Sequence, residues 1–280
     1  MTSALTLGDV LRRAAEHLGK TSETARLDAE LLLAHSLGRE RIELYTDFDR
    51  PLSDAELDGY RALVARRAKR EPVAYILGEW GFRRLTLAVD SRALIPRPET
   101  EVVVERCLVR MRDVETPRVL DVGTGTGAIA LALADELSGA RVTAIDVSPA
   151  ALALARENVG RTGLEIEVVE HDVHAGLPAG PWDLVVSNPP YVEPEELDTL
   201  MPDVRDFEPH LALVGRGATE AVAHAALAEL VLGGWLVLEV GDGQARTTAA
   251  LLGELGYAEV AATADLNGRE RVVEGRSVGG

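Results

Sequence analysis

The chain has 280 residues, 46% of them hydrophobic, with a formal net charge of −17 from 29 Lys+Arg against 46 Asp+Glu. A chain of this length buries roughly three quarters of its unfolded surface without help from disulfides or metal, and its acidic balance excludes generic nucleic-acid binding, which demands a basic footprint over phosphates. With no stretch approaching the ~18 apolar residues of a membrane span, no basic signal-like N-terminus and a single cysteine, Cys107, that reads as a core residue, the expectation is a soluble cytoplasmic protein.

The segment through Lys69 reads as helical. Apolar residues recur at three-and-four spacing in Leu7-Gly-Asp-Val-Leu-Arg-Arg-Ala-Ala-Glu-His-Leu18 and again from Ala25 to His35. Ser53 followed by Glu56 is a capping box that opens a third helix. Between Val73 and Pro96 the pattern changes: Gly78, Gly81 and the alternation from Arg84 to Asp90 predict a β-hairpin.

Beyond Pro96, short apolar strands alternate with longer helical patterns, as in an α/β sheet. The predicted strands are Arg118–Val122, Arg141–Asp146, Ile166–Glu170, Leu184–Ser187 and Trp235–Val240; the predicted helices are Gly127–Leu137, Pro149–Val159 and Glu220–Leu232. Tyr257 to Gly275 holds two β-like segments around Asn267-Gly268, a hairpin signal.

Gly123-Thr-Gly-Thr-Gly127 lies between the first of these strands and its helix, where glycines let backbone come close to a ligand. Such a loop alone is weak evidence: it also fits a glycine-rich turn with no ligand, and a nicotinamide cofactor is the usual alternative. Spacing sharpens it: Asp146 ends the next strand, positioned to accept hydrogen bonds from a ribose diol, and Asp172 ends the third strand on the same edge, within reach of an adenine. The glycines alternate where a dinucleotide site would place its third glycine at position 128, which is alanine. Asp121, just before the loop, repels a pyrophosphate but suits an ammonium or a sulfonium, the two cationic groups of S-adenosylmethionine; its other reading is a residue that orders the loop.

The fourth strand ends abruptly in Val186-Ser-Asn-Pro-Pro-Tyr191. Consecutive prolines fix their own φ and hold each preceding residue extended, so Asn188 and Pro189 are stiff. A planar NH₂ group is a poor nucleophile because its lone pair is delocalised. Asn188 Oδ1 and the Pro189 carbonyl can each accept one of its N–H bonds and aim the lone pair at a methyl donor, while Tyr191 stacks on the flat acceptor group. The plain alternative is a Pro-Pro turn capped by asparagine. His171 and His174, three apart, lack further convergent ligands, so no metal site is read. The acidic stretch Glu193 to Asp203 reads as a solvated loop, or as a lid for a basic partner.

Six stretches together resemble the release factor glutamine methyltransferases, the PrmC/HemK family: Pro72-Val-Ala-Tyr-Ile-Leu-Gly78, Leu94-Ile-Pro-Arg-Pro-Glu-Thr-Glu101, Asp121-Val-Gly-Thr-Gly-Thr-Gly-Ala-Ile-Ala-Leu131, Val186 to Tyr191, Arg205-Asp-Phe-Glu-Pro209 and Asn267-Gly-x-x-Arg271. Asn-Pro-Pro-Tyr is shared with amino-methylating enzymes of DNA and RNA; the Ile-Pro-Arg-Pro-Glu-Thr-Glu run is what sets this family apart. The resemblance implies a class I S-adenosylmethionine-dependent methyltransferase, a Rossmann-like α/β sheet with an N-terminal helical bundle and a β-hairpin connector. It divides the chain into 1–72 for docking the substrate, 73–95 as connector and 96–280 as the methyltransferase. It also implies N5-methylation of the glutamine in the Gly-Gly-Gln motif of class I peptide chain release factors, by a monomer that uses neither nucleic acid nor membrane. Gly123, Thr124, Gly125, Thr126, Gly127, Asp146, Asp172, Val173 and Asn188 would hold S-adenosylmethionine. Asn188, Pro189, Pro190 and Tyr191 would hold the glutamine, with Asn188, Pro189 and Tyr191 catalytic, and Pro96 to Thr100 would line the same pocket. Some relatives carry an aromatic at the Val173 position, and many continue with an Asp-Gly-Leu run where this chain has Gly215-Arg-Gly-Ala-Thr-Glu220. Three rival readings stand beside it: a glutamine methyltransferase of a ribosomal protein, an amino-methyltransferase of adenine or guanine in nucleic acid, and a binding protein that has lost turnover.

Overall fold

Continuous apolar runs build the central strands, because successive residues of a strand face opposite layers and both layers are covered: Leu184, Val185 and Val186 are all buried. The computed structural model describes residues 5–215 and 217–279, and they divide into two compact units: one comprises the residues up to Gly78 with Met201–Phe207, the other Glu79–Leu200 with the residues from Glu208 onward.

The first unit is helical. Helices α1 (Leu7–Leu18), α2 (Ala25–Leu37) and α3 (Asp54–Ala68) enclose Leu7, Leu11, Leu18, Leu32, Leu33 and Tyr60, all essentially solvent-free. The Ser53/Glu56 capping box forms at the start of α3, Ser53 Oγ accepting from the Glu56 amide. Val73–Leu77 forms a short helix, α4, where the sequence predicted the first arm of a hairpin. Pro72 at its N-cap and the left-handed Gly78 at its C-cap delimit that single turn. The hairpin itself is shorter, β1 (Glu79–Phe82) paired antiparallel with β2 (Leu85–Ala88).

The second unit continues through α5 (Thr100–Met111), β3 (Arg118–Val122), α6 (Ala128–Glu136), β4 (Arg141–Asp146), α7 (Pro149–Thr162), β5 (Glu167–Glu170) and β6 (Trp182–Ser187). After α8 (Pro202–Arg205), which belongs to the first unit, come α9 (Ala218–Glu229), β7 (Leu230–Glu239), α10 (Ala245–Leu255), β8 (Ala258–Ala264) and β9 (Glu270–Arg276). The seven strands lie in the order β5-β4-β3-β6-β7-β9-β8, parallel through β7 and antiparallel at β9 and β8. This is the class I methyltransferase sheet. One layer packs Val119, Leu184, Val186 and Val237 against α5 and α6, with Cys107 buried among them; the other packs Leu120, Val185, Leu236 and Leu238 against α9 and α10.

Helices α5 and α10 were not anticipated. Val102-Val-Val104 in α5 is β-branched and looks strand-like, yet Thr100, Val103, Val104, Cys107 and Met111 are its buried positions, a helical spacing that only the packed layer reveals. The predicted helix Glu220–Leu232 ends earlier, at Glu229, because Leu230 already pairs with Trp182 as the start of β7.

Strand β3 is where the sheet order reverses, its neighbours being β4 on one side and β6 on the other. Open α/β sheets bind ligands outside the carboxyl ends of strands at such a switch point. At that edge the glycine loop follows β3, Asp146 ends β4 and Asn188 follows β6.

Candidate active site

A cavity of about 350 Å³ opens at this edge, wholly within the second unit. The strand ends that frame it are tied together: Ser187 Oγ donates to the Val122 carbonyl at 2.7 Å, and the Gly123 and Thr124 amides donate to the Ile145 carbonyl at 2.9 and 3.0 Å. Of the residues expected to hold the cofactor, Gly123, Thr124, Gly125, Thr126, Asp146, Asp172, Val173 and Asn188 line it. Gly127 does not. Its φ of 83° caps α6 in the left-handed region, and a side chain there would meet Leu131 at 3.3 Å and Ala155 at 3.5 Å, so this glycine serves helix packing.

Asp146 is the anchor of the site. Its Oδ2 accepts the Gly125 amide and its Oδ1 the Ser148 amide, both at 2.9 Å. Burial raises its pKa, against the pull of the Ser148, Gly125 and Val147 amides. Each oxygen keeps a lone pair for a further donor. Asp172 caps the 3₁₀ turn Val173–Ala175 by accepting the His174 amide at 2.9 Å, which aims Val173 into the cavity lining. Two carboxylates at the rim favour a cationic ligand, and a side-chain direction at Gly123 meets no atom within 4 Å. An open loop, a carboxylate with spare acceptor capacity and acidic walls fit S-adenosylmethionine.

Asp121 is not part of that lining. It is fully buried, its Oδ2 accepts the Thr124 hydroxyl at 2.7 Å, and burial pushes its pKa up to about 7. A carboxyl sealed in the core, outside the cavity lining and bonded to Thr124, orders the loop; of the two roles read from the sequence, the structure favours loop ordering.

Asn188, Pro189 and Pro190 line the cavity together with Pro96, Arg97 and Thr100. Asn188 Nδ2 donates to Thr100 Oγ1 at 3.4 Å, which points the amide oxygen the other way. Tyr191 stands apart. It is not among the lining residues; its ring lies against Gly241 and its carbonyl accepts Gln244 Nε2 at 3.0 Å. Stacking on an acceptor group inside this cavity is not a contact its position provides. Burial raises its phenol pKa, helped by the nearby Glu239 carboxyl.

Three residues that sequence reasoning passed over complete the site. Asn158 on α7 is fully buried; its Oδ1 accepts the Ala88 amide at 2.6 Å and its Nδ2 donates to the carbonyls of Ala88 (3.0 Å) and Thr126 (2.9 Å), pinning hairpin and glycine loop to one helix. Gly215 lies so close to the catalytic corner that an added Cβ would sit 2.2 Å from the Pro190 carbonyl oxygen. Glu239 ends β7 buried behind Thr100 and Tyr191. For Gly215 the available signal was its place in the segment that departs from relatives; Asn158 and Glu239 gave none.

The acidic stretch is only partly a solvated loop. Glu193, Glu195 and Glu196 are exposed around the 3₁₀ turn Pro194–Thr199. Asp203, at its end, is paired inside the helical unit: Arg67 Nη1 at 2.6 Å and Arg70 Nη1 at 3.3 Å, with Arg67 Nε also on Asp28 at 2.7 Å.

Residues 9–78 match the model of the PrmC N-terminal domain, and residues 100–206 that of the methyltransferase small domain. Among solved structures, a T. thermophilus 16S rRNA N2 G1207 methyltransferase in complex with AdoMet and guanosine aligns over 71% of this chain and 50% of its own with a TM-score of 0.53 at 21% identity, a likeness of fold. The release factor glutamine methyltransferase of Geobacter sulfurreducens is 43% identical over 261 residues, 92% of this chain and 91% of that protein. Its Deinococcus radiodurans counterpart is 44% identical over 283 residues, 98% of this chain and 99% of that protein. Matches that cover 92% and 98% of the chain take in the helical unit as well as the sheet: the chain belongs to the release factor glutamine methyltransferase family.

Proposed function

We propose that the protein transfers a methyl group from S-adenosylmethionine to the side-chain amide nitrogen (N5) of the glutamine in the Gly-Gly-Gln motif of class I peptide chain release factors. The observation that carries this reading is the Asn188-Pro189-Pro190 corner at the cavity wall, its asparagine amide held from behind by Thr100. Family membership supplies the substrate class. When bound, S-adenosylmethionine supplies an electrophilic methyl group on a sulfonium. The protein's own work is binding and orientation. Asp146 accepts from the ribose, and Gly123 to Thr126, Asp172 and Val173 surround the rest. Asn188 Oδ1 and the Pro189 carbonyl take one amide N–H each, which localises the nitrogen lone pair and favours the pyramidal geometry of transfer. Tyr191, read from the sequence as stacking on the acceptor group, lies outside the cavity lining with its ring on Gly241 and adjoins the corner through Pro190.

The helical unit is the surface proposed to receive the release factor. Leu27, Ile42, Tyr45 and Phe48 leave large apolar side chains exposed there, the composition of a protein-binding face. Among the described residues no helix is long and apolar enough to cross a membrane; release factors work in the cytoplasm, and a cytoplasmic monomer without nucleic-acid contacts is the proposed working form.

The test compares label transfer from S-adenosylmethionine to a class I release factor, to the same factor with its Gly-Gly-Gln glutamine changed to alanine, and to an adenine-bearing oligonucleotide. Label in the first alone is expected. Label on the oligonucleotide, or on neither release factor, overturns the reading in favour of nucleic acid or a ribosomal protein.

A further inference from the structure

Asn188 can do its work in only one of two orientations. An asparagine amide turned by 180° offers N–H donors where carbonyl oxygen is needed, and donors cannot hold a substrate NH₂ group. Something must therefore fix which end of Asn188 faces the cavity. The partner on its far side is the Thr100 hydroxyl. A hydroxyl has a single proton and can point it either way, so Thr100 alone does not decide.

Behind Thr100 stands Glu239, the last residue of β7, 2% exposed. We infer that Glu239 is a positioning residue for methyl transfer, acting through Thr100 to set the orientation of the Asn188 amide. An ionised carboxylate only accepts hydrogen bonds. It accepts the Thr100 O–H hydrogen bond, leaving Thr100 Oγ1 to accept from Asn188 Nδ2 and the Asn188 Oδ1 free to face the substrate. The inference rests on the proposed amide-nitrogen methylation and adds a residue outside the cavity lining.

The setting is unusual for a carboxyl group. Among the described residues Glu239 Oε2 is buried with no hydrogen-bond partner, a costly arrangement for a carboxyl group. Its charged neighbours come from each element around it: Arg97 and Glu99 ahead of α5, Tyr191 after β6, and Arg271 on β9. Arg97 is engaged with Glu208 at 2.5 Å and Arg271 with Asp265 at 3.5 Å, so among the described residues Glu239 has no ion pair of its own. Burial pushes the Glu239 pKa up to about 7, opposed by the Thr100 hydroxyl and, more weakly, by Arg271 and Arg97. Once protonated, the carboxyl can donate to Thr100 instead. Thr100 is then free to donate to a turned Asn188, and the productive orientation is no longer enforced.

The experiment measures kcat, KM for release factor and S-adenosylmethionine affinity from about pH 6 to 9 for the intact protein and for Glu239→Gln, Thr100→Val and Thr100→Ser. In the unmodified protein kcat rises with pH through a midpoint near 7, the value burial gives Glu239. Glu239→Gln and Thr100→Val are expected to lose that limb and to lower kcat about tenfold, the worth of one modest hydrogen bond, with cofactor affinity and KM little changed. Thr100→Ser keeps the hydroxyl and retains the limb. A limb that persists in Glu239→Gln, or a Thr100→Val variant with unmodified kcat and pH profile, overturns the inference. If Glu239→Gln does not fold, the isosteric Thr100→Val decides alone. Failure of the unmodified protein to label release factor overturns the methylation reading itself, a separate outcome.

Discussion

Gly215→Ala isolates the contribution of a single methyl group to the catalytic corner. Gly215 pairs with the segment that follows the corner, its amide donating to the Val192 carbonyl at 3.1 Å while the Val192 amide donates to the Leu213 carbonyl at 3.0 Å. The added Cβ would lie 2.2 Å from the Pro190 carbonyl oxygen and 3.3 Å from Tyr191 Cα. Carbon and oxygen settle no closer than about 3.3 Å, so backbone must give by about 1 Å, and neither contact is a flexible side-chain tip. Pro190 cannot rotate about φ to relieve it, so the displacement passes to Pro189 and Asn188. A misplacement of about 1 Å at an orienting group costs roughly 10²-fold in rate, and overpacking costs about 1–3 kcal/mol in stability. The assay is single-turnover methylation of release factor beside calorimetric S-adenosylmethionine binding and thermal unfolding, with Gly160→Ala as the control, since a Cβ there meets nothing within 4 Å. Gly215→Ala with turnover within about twofold of the unmodified protein refutes the claim that this glycine holds the corner in place.

Asn188→Ala removes one of the two proposed acceptors and should lower kcat by about 10² while leaving cofactor affinity nearly unchanged; steady-state kinetics and calorimetry check both. Asn158→Ala orphans the Ala88 amide and two carbonyls, and should cost about 3 kcal/mol in denaturant unfolding together with weaker S-adenosylmethionine binding, because the glycine loop loses its tie to α7. Glu274 is buried between Arg106 at 2.6 Å and Arg110 at 2.5 Å; burial alone would raise its pKa, but the two guanidinium groups outweigh it and hold it below the ordinary value. A depressed carboxyl stabilises the fold above its unfolded value, near 4.5, and that stability is lost as pH falls through the folded value. Glu274→Gln should therefore cost about 3 kcal/mol at neutral pH and flatten the acid limb of a stability-against-pH curve; an unchanged acid limb counts against the pair.

What could be read in the sequence is what neighbouring residues determine. The glycine loop, Asp146 at its spacing and the Asn-Pro-Pro-Tyr corner are local patterns, each placed by the strand it follows, and the sheet edge that assembles them follows from α/β topology. Local patterns also misled. The valine run of α5 hid its helical period, and Asp121 beside the loop looked like a ligand although the sheet seals it away. The position of Tyr191 was not legible either: its ring lies against Gly241, about 50 residues on in the chain, and not in the cavity lining. Asn158 meets a partner 70 residues away in the chain, and Glu239 meets Thr100 only because β7 passes behind α5. No period or motif encodes such meetings, since either side chain would look ordinary in its own neighbourhood.

The pairing of Arg67 with Asp203 spans 136 residues of chain, and this has a consequence during synthesis. At about 5–20 residues per second, roughly 7 to 27 seconds separate the emergence of the arginine from that of its partner. Over that interval Arg67 has Asp28 but lacks Asp203, and Arg70 lacks the carboxylate altogether. The helical unit, whose own helices precede the sheet in the chain, is thus completed only by a segment made after β6. By the time Met201–Phe207 arrives to complete it, β3, β4, β5 and β6 have all been synthesised, so the helical unit is finished only after the segments that carry the glycine loop, Asp146 and Asn188 have been made.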